Sequence, residues 1–173
     1  MRYIVFFLLF FTIPAEVEAK LPDYLKVVVC EDSSNREIVE EMYDLLPYAY
    51  FSPKPSKELD RLFILAEKAA HSGNGWSMGV YGIIKFMKLI PEDMHKDIKQ
   101  NKRASLPRSL KGEMVEAISY VYLAREVPNV NVEGANKFIS IIEKEKPNKE
   151  IPNEWLKEAK VNVATWKKRC GLN

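Results

Sequence analysis

The sequence predicts an all-α fold of about seven helices, arranged as antiparallel hairpins stacked into a short solenoid. Three observations carry this expectation. Apolar residues recur at three- and four-residue spacing through most of the chain, as in Leu59, Leu62, Phe63, Ala66, Ala69 and Ala70. Glycines and prolines such as Gly73, Pro107, Pro128 and Pro147 fall where those stripes stop. No segment reads as a strand with a partner strand beside it.

With 173 residues, 47% of them apolar, the chain can build one domain around a real core. A net charge of +2 neither points to nucleic acid nor excludes it. The first 19 residues differ in character from the rest. Arg2 precedes an apolar run from Tyr3 to Ile13, Pro14 breaks it, and Val17 and Ala19 place small residues at −3 and −1 of a cut. This is the layout of a secretory signal peptide (residues 1–19), followed by a single helical domain (residues 20–173). An uncleaved anchor is the alternative, but the run is short for a bilayer. The expectation is export to the periplasm or beyond, without stable membrane insertion after cleavage.

Export makes Cys30 and Cys170 a disulfide candidate, since an even pair in an oxidising compartment can bridge. Two separate buried thiols remain the alternative. Two cysteines and two histidines without ligand spacing predict no metal site.

Taken in order, residues 21–30 lean helical for want of a partner strand. Ser34 is placed to cap a helix carrying Ile38, Met42, Leu45 and Leu46, with Glu37, Glu40, Glu41 and Asp44 opposite. Pro47 is expected to end it, leaving Tyr48, Tyr50 and Phe51 as an aromatic cluster in the following turn. Ser56 caps the next helix, and Gly73 suits its left-handed C-terminal position. Asn74 caps a mostly apolar helix reaching about Leu89. Glycine inside a helix costs about 1 kcal/mol relative to alanine, so Gly79 and Gly82 imply close helix–helix contact. A short helix is expected from Pro91 to about Lys102, with a break bracketed by Pro107 and Gly112. Met114, Ala117, Ile118, Val121 and Leu123 cover more than one face of a central helix over residues 113–127. Ala135, Phe138, Ile139 and Ile142 mark one over 132–145. Pro152 opens the last, with Trp155, Ala159, Val163 and Trp166 on one side.

Residues 68–84 resemble a Sel1-like repeat, an α/α relative of the tetratricopeptide repeat. Ala69-Ala70, Gly73, Ser77 and Tyr81-Gly82 stand at the repeat's small and Leu-Gly positions, with Ser for the usual alanine and Tyr for the usual leucine. Ala117, Tyr120, Leu123 and Ala124 look like the first helix of a terminal Sel1-like unit, and Ala135 like its second-helix alanine. The 151–166 segment is similar to a closing helix. The resemblance spans roughly residues 55–170, with an insert around 91–112. The distance from Ala69 to Ala124 exceeds a regular period, so the array is degenerate. It implies a stacked-hairpin fold and an adaptor role.

Candidate chemistry is sparse. His71 lies in the Ala-Ala-His-Ser-Gly turn and is expected to be exposed; His95 reads as surface. Ser72 beside His71 is no dyad, because adjacent helical residues do not face each other. No GxSxG, HExxH or P-loop pattern occurs. We expect no catalytic residues and no cofactor. Charge is polarised: residues 31–44 hold six acids and one base, and residues 96–111 hold six bases and one acid. The acidic helix is a solvated face or a surface that steers a basic partner. The expected partner is another protein and not nucleic acid. The sharpest expectation is a non-enzymatic immunity protein that binds and neutralises a toxin effector in the periplasm. An envelope scaffold or regulator is the alternative, and a cell-wall hydrolase a more distant one.

Overall fold

The computed structural model describes residues 21–31, 35–51, 56–90, 106–144 and 151–172. Among them it is all-helical. The elements are α1 (Asp23–Lys26), α2 (Arg36–Phe51), α3 (Lys57–His71), α4 (Gly75–Leu89), a 3-10 turn (Arg108–Leu110), α5 (Lys111–Ala124), α6 (Glu133–Lys144) and α7 (Asn153–Arg169). The signal-like segment, Ser34, His95 and the helix expected after Pro91 lie outside the described residues.

Local chemistry sets most boundaries. Ser56 Oγ accepts from the Leu59 amide at 3.1 Å, and Asn74 Oδ1 accepts from the Ser77 amide at 2.9 Å. Both satisfy first-turn donors that the helix itself cannot. At the end of α3, Gly73 adopts φ +96°. Its amide bonds Ala70 O and the Asn74 amide bonds Ala69 O, each at 3.0 Å. This is a Schellman closure, and it needs a residue without a Cβ in the left-handed region. A Cβ on Gly73 would also run into the Glu31 carbonyl. The turn that joins α3 to α4 therefore doubles as a seat for the N-terminal segment.

Two boundaries differ from expectation. Helix α2 runs through Pro47 to Phe51. Proline removes one helical bond, to the carbonyl of Tyr43. Pro47 and Tyr43 are both solvent-exposed, so water can reach the freed carbonyl. Tyr48, Tyr50 and Phe51 thus belong to the helix rather than to a turn, and their side chains lie outside the described residues. Helix α5 starts at Lys111, so Gly112 sits in its first turn instead of marking a break. No heavy atom lies within 4 Å of a Cβ built there, and the glycine reports no packing constraint.

Side-chain pairs give the helix directions. Asp60 meets Lys88 at 2.6 Å and Glu67 meets Tyr81 at 2.9 Å, so α3 and α4 are antiparallel. Lys85 meets Glu116 at 2.5 Å, and Gly82 lies against Ala117 and Val121, so α4 and α5 are antiparallel. Gly79 faces Ala135 and Phe86 packs on Phe138, so α6 runs parallel to α4. Lys111 with Glu158 and Lys167 with Glu126, both at 2.7 Å, set α7 parallel to α5. Directions thus alternate along the stack. Helix α5 is at its centre, with every residue from Ala117 to Ala124 buried. Its lack of a polar face explains why its apolar residues show no single stripe.

The N-terminal segment closes the molecule. Leu21, Leu25 and Val28 enter the core. Cys30 bonds Cys170 with Cα atoms 5.4 Å apart, so the disulfide expectation holds and the two-thiol alternative falls.

Candidate functional site

A group of polar and titratable side chains among the described residues meets in a seam among α3, α4 and α5. Each helix contributes a polar pair one turn apart on an otherwise apolar side: Glu67 and His71, Tyr81 and Lys85, Glu116 and Tyr120. Residues four apart share a helix face, so each pair points the same way. Helix antiparallelism then stacks the pairs against one another.

Tyr81 donates its hydroxyl to Glu67 Oε1 at 2.9 Å. Lys85 Nζ donates to Glu116 Oε1 at 2.5 Å and to the Tyr81 oxygen at 3.3 Å. The Tyr81 and Tyr120 rings meet edge to face with centroids 4.9 Å apart. Below them, Tyr120 donates to the Tyr24 carbonyl at 3.2 Å, the Tyr24 hydroxyl donates to Ser119 Oγ at 3.2 Å, and Asn162 donates to that hydroxyl's oxygen at 2.8 Å. Burial raises the pKa of both Tyr81 and Tyr120, with Glu67 acting next on Tyr81 and Glu116 next on Tyr120. The phenols stay protonated and act as donors.

His71 corrects the expectation of an exposed turn residue. Its ring lies half-buried, 6.0 Å from the Tyr81 centroid and 5.9 Å from that of Tyr120. The last turn of α3 points inward here because Ala69 and Ala70 let α3 approach α4 closely. Burial holds the His71 pKa below its ordinary value, against the opposing pull of Glu67 and Glu116, while Lys85 adds to the lowering. The unfolded chain therefore binds a proton at higher pH than the folded one. Stability is complete above about pH 6.5 and falls as pH drops from there toward the lowered folded value. Melting curves should show wild type losing stability relative to His71→Gln across that window. A difference that stays constant with pH would exclude a titrating His71.

The repeat-like residues named from sequence are structural. Ala69, Ala70, Ala117, Leu123, Ala124 and Ala135 are buried, and Ser77 is buried with its hydroxyl 3.6 Å from Met42 Sδ. Ser72 caps α3, donating to Ala69 O at 2.9 Å and accepting from Asn35 at 2.7 Å. Sequence reasoning missed Glu67, Lys85 and Glu116. The signal was present as three polar i, i+4 pairs, but only tertiary contact brings them together.

A second feature lies on the outer side of α2. Tyr43 stacks on Trp76 with centroids 4.4 Å apart and ring planes 14° from parallel. Beside it, Arg36, Val39, Glu40, Tyr43 and Asn74 line an open cleft of about 350 Å³.

Among the described residues, no three His, Cys, Asp or Glu side chains are placed to share a metal ion, and no helix is long and apolar enough to cross a membrane. No family model, curated protein or solved structure matches the chain.

Proposed function

We propose that the chain is an exported, non-enzymatic protein-binding module, and most concretely an immunity protein that binds and neutralises a toxin effector in the periplasm. The observation that carries this reading is the alternation of helix directions, α4 with α6 and α5 with α7. Hairpins of alternating direction are the units that a short solenoid would stack, and solenoids present extended surfaces to other proteins. The Sel1-like resemblance leads to the same role.

Two further points support it. Glu67 and Glu116 are engaged with Tyr81 and Lys85, so the seam reads as a polar lock between helices. The disulfide suits an oxidising compartment.

The test is co-purification of the tagged, disulfide-bonded protein from an envelope extract, followed by mass spectrometry. The expected partner is a toxin encoded beside this gene, and the purified pair should form a tight complex that abolishes toxicity. Capture of the cell's own envelope machinery instead, with an envelope defect on deletion, would overturn the immunity version. Turnover of wall material that is lost in a His71 variant would overturn the non-enzymatic reading.

A further inference from the structure

We propose that the cleft beside the Tyr43–Trp76 stack is the partner-binding surface, and that it takes a lysine- or arginine-bearing segment of another protein. This rests on the protein-binding reading above.

Tyr43 is 54% exposed although it is a large aromatic residue. The stack on Trp76 nonetheless fixes its ring. A fixed aromatic contributes contact area with little ordering entropy lost on binding, which is why such residues anchor interfaces. The cleft of about 350 Å³ accommodates one or two side chains, so it fits a protruding segment better than a flat protein face.

The charge on α2 selects the kind of segment. Glu40 lines the cleft, and Glu37, Glu41 and Asp44 continue from it along the adjoining side of α2, since residues three and four apart share a face. Arg36 pairs with Glu40 at 2.8 Å, and Arg61 of α3 pairs with Glu41 at 2.8 Å. Four acids against these two bases leave a negative rim next to an exposed ring. A cation gains from both, through Coulomb attraction to the rim and through the ring face. The protein makes the same contact internally, where Lys88 Nζ stands 4.9 Å from the Phe63 centroid and Lys160 Nζ 5.3 Å from that of Tyr122. An anionic segment would meet like charge here.

The probe is a short labelled peptide with an Arg-Leu-Lys centre, compared with the same peptide carrying glutamine at both cationic positions. Both are titrated against the disulfide-bonded protein by fluorescence anisotropy. The cationic peptide should bind roughly tenfold tighter, and its affinity should fall with added salt. Tyr43→Ala should weaken it roughly tenfold. The double change Glu37→Lys with Asp44→Lys should do the same without removing any packed side chain. Ile64→Asp, an exposed change on α3, should leave binding unchanged. Equal affinity for the two peptides, no binding of either, or binding indifferent to Tyr43→Ala and to the charge reversal overturns the assignment. The same variants separate it from the broader reading. A co-purified partner lost by both cleft variants and kept by Ile64→Asp supports the cleft. A partner retained by both cleft variants removes the cleft and leaves the binding module standing. Absence of any partner removes both.

Discussion

Cys170→Ser should lower stability by about 5 kcal/mol, and reductant applied to the wild type should reproduce the loss. The bridge spans 140 residues, and in the chain-entropy account a closed loop of that length removes about 5 kcal/mol of freedom from the unfolded chain. For a chain of this size, that corresponds to a fall in melting temperature of about 10–20 °C. The reduced protein should still fold, because the N-terminal segment has other anchors. Leu25 and Val28 are wholly buried, Tyr24 bonds Ser119 and Asn162, and Arg169 reaches the Lys26 carbonyl at 3.3 Å. Cys30→Ser and the double variant should match Cys170→Ser, since each removes the same loop. A melting temperature unmoved by reductant would mean that the bridge contributes nothing to the fold in solution.

Gly82→Ala should destabilise the protein and Gly79→Ala should not, although both glycines lie inside α4 and three residues apart. A Cβ on Gly82 would stand 2.6 Å from Ala117 O, 2.7 Å from Val121 Cγ2 and 3.0 Å from Val121 N. Two of those three atoms are backbone of α5, the central helix, and backbone cannot turn aside as a side chain can. The helices must separate, and overpacking of this kind costs about 3 kcal/mol. Improved helix propensity returns about 1 kcal/mol, for a net loss of about 2 kcal/mol. At Gly79 the nearest atoms are Ala124 Cβ at 3.5 Å and Ala135 Cβ at 3.6 Å, an ordinary van der Waals contact. Gly79→Ala should therefore be neutral or stabilising by up to about 1 kcal/mol. Denaturant midpoints of the two variants decide the matter. A Gly82→Ala variant no less stable than wild type would show that α4 and α5 do not approach closely at Gly82.

This contrast marks how far sequence reasoning reached. Both glycines were expected at a close helix contact, and both face a neighbouring helix. Their spacing on α4 could not reveal that only Gly82 lies against backbone. That distinction depends on the crossing of α4 over α5, which joins residues more than thirty positions apart.

The boundaries follow the same division. Ser56, Asn74, Gly73 and Pro152 act on neighbours within a turn, so their roles could be read directly from residue type. Pro47 could not be judged this way. Its effect depends on whether the freed carbonyl faces water or the core, which is a property of how α2 sits on α3. The lost bond faces solvent, and the helix continues.

By itself, then, the sequence determined the all-α class and the amphipathic faces and caps, and it named the one possible cysteine pair while leaving two separate thiols open, because each depends on local periodicity or on a count. Tertiary structure alone decided that His71 turns inward between Tyr81 and Tyr120, that Glu67, Lys85 and Glu116 form one seam, and that Tyr43 is fixed by Trp76. The physical reason is that these contacts join separate helices. Periodicity states which face of a helix is polar, whereas the crossing of helices in space decides which polar faces meet.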